Sequence, residues 1–253
     1  MLKEIRKCKD EIHTKLYYAK MALSAHKFAN EYTNKTYSYK LAAKEEVMIN
    51  DGTGFPIEYQ HNKVFNLKLA SKKIDKLIIK PNEVFSFWHC LKDAQKEESY
   101  KDGLCIINGE MAYVPGGGLC QLSNILFYLF LNGPFKIVER HGHDVREFDD
   151  PNAHIKGIDA TVAEGYLDLK VKNISDQDIQ INIDFTDTTI KAYISSNNKL
   201  DHAYQIINKN LNYPLLNNEQ FEIVDIYRQE LDGSKLVKEE KLYTNVTKIL
   251  YEI

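Results

Sequence analysis

The stretch "YVPGGGLCQLSNILFYLFLNG", from Tyr113 to Gly133, places three consecutive glycines directly before a cysteine and a long apolar segment. From Leu119 to Leu131 the residues are apolar on nearly every side, which predicts a helix buried all round. Gly133 and Pro134 are typical of the end of such a helix. We therefore expect Leu119 to Leu131 to be the central core helix.

A second helix is predicted at the N-terminus. From Leu2 to about Asn30, no Pro or Gly interrupts the chain. Apolar residues recur there at helical intervals, namely Ile5, Ile12, Leu16, Ala19 and Leu23. The loop "NDGTG", Asn50 to Gly54, then indicates that the main domain starts near residue 52. We interpret residues 1–51 as an N-terminal helical segment.

Downstream of the core helix the sequence is rich in strand patterns. "FKIVERHGHDVREF" alternates with period two, and Asp232 and Gly233 form a clear hairpin turn. Further antiparallel strands are predicted in "DATVAEGYLDLKVKN", "DIQINIDF", "TIKAYIS" and "FEIVDIYRQELDGSKLVKEEKLY". The predicted fold is α+β: a buried central helix packed on an antiparallel sheet, with a helical N-terminal extension and a β-rich C-terminal part. Residues 52–195 form the predicted core domain, and residues 196–253 a C-terminal β-hairpin extension packed on it.

Composition limits the classes of function. The chain has 253 residues, 43% hydrophobic and 27% charged, and a formal net charge of -3, which gives no reason to expect nucleic acid as a partner. Its longest apolar run, Ile125 to Leu131, is far shorter than the ~20 residues that cross a bilayer. The N-terminus lacks the apolar core of a secretory signal. These patterns predict a cytoplasmic protein without a membrane span, and they leave its oligomeric state open.

Cys120 is the candidate nucleophile. A cysteine in the first turn of a helix lies beside unpaired N–H groups and the positive end of the helix dipole, both of which favour the thiolate. Gly116, Gly117 and Gly118 would let a substrate backbone approach and donate N–H groups to an oxyanion, or they would admit a neighbouring strand. Gln121 and Ser123, which follow in the same turn, complete the candidate substrate-binding set.

Four motifs together resemble the VanW family, named after an accessory protein of a vancomycin-resistance cluster. They are "KPNEVFSFW", "GGGLCQLSNILFYLF", "IVERHGHDV" and "DATVAEGYLDLKVKN", in that order, and the resemblance is strongest from about Leu77 to Phe185. The sequence departs from the family pattern at "HGHD", where HPHS is usual, and at the asparagine of "KPNE". The family name implies a cell-wall context and no particular reaction.

The candidate general base is His141 or His143, with Asp159 as its orienting partner. Lying two apart on a predicted strand, the histidines would point to one face. We prefer His141 slightly, because it directly follows Glu139 and Arg140 in the motif. The chain order of Cys, His and Asp is also that of papain-like and transglutaminase-like thiol enzymes, an analogy at the level of fold.

Three functions remain open at this point. The first is a cysteine-dependent hydrolase or acyltransferase that acts on a peptide or amide substrate linked to cell-wall metabolism or glycopeptide resistance. The second is a metal site built from Cys120, His141 and His143, whose spacing is weaker than that of a dedicated zinc motif. The third is a non-catalytic module that binds a peptide or glycan. We expect neither a bound metal nor a cofactor.

Overall fold

The computed structural model describes residues 2–50, 52, 54–107, 110–146 and 155–251, and for residues 2–9, 106, 107, 110 and 111 it describes the backbone alone. The helices are α1 Leu2–Ala22, α2 Ile57–Ser71, α3 Phe87–Leu91 and α4 Leu119–Leu131. The strands are β1 Glu31–Tyr32, β2 Tyr39–Val47, β3 Leu77–Ile79, β4 Val84–Ser86, β5 Asp102–Ile107, β6 Glu110–Pro115, β7 Phe135–Glu139, β8 Val145–Arg146, β9 Lys170–Asn173, β10 Ile179–Phe185, β11 Thr189–Ser196, β12 Ala203–Asn212, β13 Leu215–Leu216, β14 Glu219–Asp232 and β15 Lys235–Ile249. This mixture of helices and mainly antiparallel sheets confirms the α+β class.

Helix α4 lies at the centre of the core, as the sequence predicts, and its bounds are the predicted ones. Its apolar side chains from Leu119 to Leu131 are buried, apart from the half-buried Cys120 and Tyr128. Each fully buried large apolar side chain contributes roughly 1.5–3 kcal/mol to folding. The helix packs against α2 and against strands β2 and β11. Its first residue follows Gly118, which has a left-handed backbone (φ 95°) that favours glycine.

The sheet beneath α4 has five strands in the order β1-β3-β10-β11-β2, and all its pairs are antiparallel. Strand β2 comes from the segment predicted to be helical. Only its first part, α1, is a helix, and residues 39–47 pair with β11 along the edge of the central sheet. The N-terminal segment is therefore partly a component of the core sheet.

The C-terminal part forms a second sheet with strand order β12-β14-β15-β8. Its long hairpin turns at Asp232 and Gly233, which confirms the predicted turn, and Gly233 has the positive φ (58°) such turns require. The far end of β15 pairs in parallel with the short strand β8. The hairpin is thereby joined to the chain segment that carries the two candidate histidines.

Two predicted strands are interrupted where the site lies. The stretch from Phe135 predicted as one strand consists of β7 and β8, with residues 140–144 in neither. Similarly, the stretch from Asp159 becomes a regular strand only at Lys170, where β9 joins β4 and β7 in a third sheet. Tertiary hydrogen bonds, described below, replace the ladder in both gaps.

Helix α1 is held on the core by polar contacts. The Tyr17 hydroxyl donates to buried Asp168 at 2.7 Å, and the Tyr18 hydroxyl donates to Glu164 at 2.8 Å. Asp168 also accepts from Ser86 Oγ at 2.6 Å and from the Trp88 amide at 3.1 Å. Among the described helices, none has the length and apolar character needed to cross a membrane.

Candidate active site

Cys120 is the second residue of α4, and its side chain faces the segment 159–162 rather than the central sheet. Its Sγ lies 3.4 Å from Thr161 Oγ1 and 3.9 Å from the Val162 carbonyl oxygen. The residue is half-buried. Its thiol therefore lies at the first turn of the helix, within reach of polar groups from a second part of the chain.

Asp159 holds His143 at two points. The ring nitrogen Nδ1 of His143 lies 2.7 Å from Asp159 Oδ1, and the backbone amide of His143 donates to Oδ2 at 2.6 Å. The Asp159 side chain is 8% exposed, whereas that of His143 is 31% exposed. Because the carboxylate occupies Nδ1, Nε2 is the ring nitrogen that can exchange a proton with Cys120.

The pKa values of these three side chains shift together. Burial alone would lower the pKa of His143, but its bonds to Asp159 and Cys120 raise it to about 10. Burial would raise the pKa of the Cys120 thiol, but His143 and Thr161 hold it below its ordinary value. Likewise, burial would raise the pKa of Asp159, and His143 keeps it below the usual range. The arrangement favours thiolate, imidazolium and carboxylate at neutral pH.

His141 belongs to a different cluster, so the preference for it as the partner of Asp159 is wrong. Its Nε2 lies 3.1 Å from Glu139 Oε1, and Lys170 Nζ lies 2.7 Å from the other oxygen of that carboxylate. The two histidines do not share a face because the strand ends at Glu139 before either is reached. The period-two argument requires a regular strand, which this segment lacks.

The separation of the histidines also weakens the metal hypothesis. Its three ligands were Cys120, His141 and His143, and His141 is bound instead to Glu139. Within the described ranges, no group of three or more His, Cys, Asp or Glu side chains has an arrangement that would hold a metal ion. The donor set that the sequence suggested is not assembled.

Residues of α4 and of the histidine loop, which comprises residues 140–144 between β7 and β8, hold the segment 159–162 that faces Cys120. Ser123 Oγ donates to the Ala160 carbonyl at 2.6 Å, and the Ala160 amide donates to Asn124 Oδ1 at 2.6 Å. The Thr161 amide donates to the His141 carbonyl at 2.8 Å. Ser123 is fully buried and bound in this way, so its hydroxyl is not available to a substrate as proposed from sequence.

The glycines before Cys120 mainly solve a packing problem. A Cβ on Gly117 would lie 2.2 Å from the backbone carbon and oxygen of Gly103 in β5, and one on Gly118 would lie 2.1 Å from Lys63 Cγ. The Gly116 and Gly117 amides donate to the carbonyls of Lys101 and Val114. Of the two roles proposed from sequence, close approach of a neighbouring strand therefore accounts for Gly117. The other role, donation of N–H groups to an oxyanion, is not open to the Gly116 and Gly117 amides, because both are already hydrogen-bonded.

Gln121 points away from the thiol. Its Nε2 donates to the Val47 carbonyl at 2.8 Å and to Glu46 Oε2 at 3.2 Å, which ties α4 to β2. The first turn still offers one donor. The Leu119 and Gln121 amides donate to the carbonyls of Gly116 and Gly118, while the Cys120 amide between them has no partner within the described part of the chain.

Sequence reasoning missed three residues of the site. Thr161, which contacts the thiol, lies two residues after Asp159 in a stretch that the sequence predicts to be a strand, so alternation would have placed it on the same side as Asp159. Arg140, noted from the sequence only as a neighbour of His141, donates from Nε to the Asp159 carbonyl at 2.5 Å. Asn245, which accepts from Arg140 at 2.6 Å, carried no local signal because the two residues are 105 apart in sequence.

The chain matches the sequence model described as "VanW like protein" over residues 62–195. This range contains Cys120, His143 and Asp159. The chain belongs to the VanW family. The vancomycin B-type resistance protein VanW of Enterococcus faecalis (strain ATCC 700802 / V583) is 40% identical to it over 240 residues, which cover 94% of this chain and 87% of that protein.

A second relative is similar over a shorter range. The uncharacterized protein YoaR of Bacillus subtilis (strain 168) is 34% identical over 116 residues, or 46% of this chain and 37% of YoaR. No solved structure matches the chain. Membership of the VanW family thus rests on sequence.

Proposed function

We propose that this protein is a cysteine-dependent hydrolase or acyltransferase that acts on an amide or peptide carbonyl. The observation that carries the proposal is the His143–Asp159 pair at 2.7 Å, in which a buried carboxylate holds the imidazole that lowers the pKa of the Cys120 thiol against the effect of burial. A nucleophile, a base and an orienting acid in this order are the parts that thiol acyl transfer requires.

In the first half of the reaction, the Cys120 thiolate attacks the carbonyl carbon and forms a tetrahedral intermediate. The Cys120 amide is available to donate to the developing oxyanion. The His143 imidazolium gives its Nε2 proton to the leaving amine as the C–N bond breaks, and a thioester on Cys120 remains. Asp159 keeps the ring in the required tautomer and stabilises its positive charge.

In the second half, neutral His143 takes a proton from the incoming nucleophile. If this nucleophile is water, the thioester is hydrolysed to a carboxylic acid, and if it is an amine, the acyl group is transferred to form a new amide. In both cases the C–S bond breaks, the thiolate is restored and the imidazolium carries the proton. Thr161 Oγ1, 3.4 Å from the sulfur, can donate to the thiolate at both stages.

The proposed substrate class is a peptide or amide of the cell wall. This part rests on family membership and on the name of the Enterococcus relative, which connects that protein with vancomycin B-type resistance. A role of this chain in glycopeptide resistance belongs to the same proposal. The chemistry of the site requires only a carbonyl that the half-buried thiolate can reach.

Detection of the thioester tests the proposal directly. The protein is incubated with a panel of cell-wall peptides and simple amides, quenched in acid and examined by intact-mass spectrometry. We expect a mass increase equal to the acyl group, released by hydroxylamine and absent in Cys120→Ala. If peptides bind to the wild type and to Cys120→Ala equally well and no adduct or product forms in either, the non-catalytic binding module becomes the better description.

A further inference from the structure

The C-terminal hairpin contacts both chain segments that carry the His143–Asp159 pair. The Lys248 amide of β15 donates at 2.9 Å to the carbonyl of Asp144, the residue after His143. The Tyr243 hydroxyl donates at 3.1 Å to the carbonyl of Gly157, two residues before Asp159. Strand β15 therefore contacts both the residue that follows His143 and a residue close before Asp159.

Arg140 connects this strand to the acid itself. Its Nε donates to the Asp159 carbonyl at 2.5 Å, and its Nη2 donates to Asn245 Oδ1 at 2.6 Å. The guanidinium also lies over the Tyr243 ring, 4.4 Å from its centroid. A planar guanidinium with donors in fixed directions suits such a bridge, because both bonds constrain its orientation.

Asn245 is itself held in one orientation. It is buried, and its Nδ2 donates to Thr247 Oγ1 at 2.8 Å, which leaves Oδ1 directed at Arg140. Gly142, which lies between the two histidines in sequence, passes directly over the contact between Arg140 and Asn245. A Cβ there would lie 2.8 Å from Arg140 Nη2 and 3.0 Å from Asn245 Oδ1, so glycine lets the histidine loop close over this contact.

We infer that Arg140 and Asn245 are positioning residues for the Asp159–His143 pair, and that the C-terminal hairpin is part of the catalytic apparatus. The inference rests on the proposed function. Asn245 lies outside residues 62–195, so the range that matches the family model does not contain the complete site. Loss of the Arg140–Asn245 bond frees the Asp159 backbone to move, which weakens its carboxylate's hold on His143 and raises the pKa of Cys120.

The test compares two adjacent residues of β15. Asn245→Ala removes the acceptor of Arg140, whereas Thr244→Ala removes a hydroxyl that donates to Asp225 at 2.7 Å in an exposed pair. We measure the pKa of His143 from the NMR titration of its Hε1 proton, and that of Cys120 from the pH dependence of iodoacetamide alkylation. For Asn245→Ala we expect the pKa of His143 to fall and the pKa of Cys120 to rise, each by up to about one unit. For Thr244→Ala we expect neither pKa to change.

Two further variants keep the test decisive. Asn245→Asp retains an oxygen for Arg140 and should keep the pKa of His143 at or above the wild-type value. Thr247→Val preserves size but removes the hydroxyl that orients Asn245. It should lower the pKa of His143 and raise the pKa of Cys120, as expected for Asn245→Ala but by a smaller amount. If Asn245→Ala does not fold, Thr247→Val decides alone.

The outcomes separate this inference from the proposed function. The positioning role is overturned if wild-type Cys120 is reactive but the pKa values of His143 and Cys120 are unchanged in Asn245→Ala. Thr247→Val takes the place of Asn245→Ala if the latter does not fold. This outcome leaves the proposed function intact. A wild-type Cys120 that alkylates no faster than the other thiols overturns the proposed function, and the positioning inference falls with it.

Discussion

Asp159 contacts His143 through both carboxylate oxygens, at 2.7 Å to the ring Nδ1 and at 2.6 Å from the backbone amide. The acid therefore fixes the position of the histidine backbone as well as the orientation of its ring. An orienting carboxylate with two such bonds leaves the imidazole little freedom to rotate away from Cys120, and it stabilises the charged ring. The consequences can be measured on the thiol, the histidine and the folded protein.

We expect Cys120 to be more reactive than the other described thiols at neutral pH. Its pKa is held below the ordinary value chiefly by His143, which opposes the effect of burial, whereas burial raises the pKa of Cys90. Alkylation with iodoacetamide at pH 6–7, with the modified peptides identified by mass spectrometry, should label Cys120 first. Faster labelling of Cys90 or Cys105 in the native protein contradicts the prediction.

The two histidines provide a matched pair of variants. In His143→Ala, the pKa of Cys120 should rise to at least the ordinary value of ~8.5, because burial remains and the imidazolium is lost. In His141→Ala, the alkylation profile should stay that of the wild type, because His141 is bound to Glu139. The pH dependence of the alkylation rate distinguishes them, and equal shifts in both variants would falsify the assignment.

Thr161→Val should weaken stabilisation of the thiolate while preserving shape. The hydroxyl contributes a hydrogen bond to the sulfur, and such a bond contributes about 0.5–1.5 kcal/mol, equivalent to up to about one pKa unit. We expect the midpoint of the Cys120 alkylation profile to move upward by that amount. Thr161→Ser retains the hydroxyl and serves as the control, with a midpoint near that of the wild type.

Asp159→Asn should destabilise the protein in a pH-dependent way. The pKa of Asp159 is lower in the folded protein than in the unfolded chain, where it is ~3.9, so the ionised carboxylate stabilises the fold above that pH. This stabilisation is lost as the pH falls through the folded-state pKa. The raised pKa of His143 contributes stability that is complete below its unfolded value of ~6.5 and is lost as pH rises toward about 10. Urea unfolding should therefore show the largest difference from wild type between about pH 4 and 6.5, shrinking at alkaline pH; a difference independent of pH argues against the ion pair.

Gly117→Ala should be strongly destabilising. Its Cβ would lie 2.2 Å from the Gly103 backbone, so β5 or the loop before α4 must move, and such overpacking costs roughly 1–3 kcal/mol or more. Gly52→Ala is the control, because its Cβ would meet only Asn50 Oδ1 at 3.4 Å. Thermal unfolding should show a lower Tm by several degrees for the first and little change for the second. Equal Tm values for both variants would exclude close packing as the reason for Gly117.

The sequence by itself determined the elements whose cause is local. The continuous apolar run fixed α4 and its bounds, and Asp232 and Gly233 fixed the hairpin turn, because backbone preference and side-chain periodicity act over a few residues. The position of Cys120 in the first turn of the helix followed from the same reasoning. The four motifs likewise identified the VanW family, which the comparisons confirm.

Only the tertiary structure decided which histidine meets Asp159 and what holds that acid. His141 and His143 are equivalent by spacing, and their separation depends on where β7 ends and on the path of Gly142 over Arg140 and Asn245. The bond between Arg140 and Asn245 joins residues 105 positions apart, so no local preference encodes it. Such contacts form when β15 packs against the loops that carry His143 and Asp159, because buried donors and acceptors must find partners in whatever segments folding brings together.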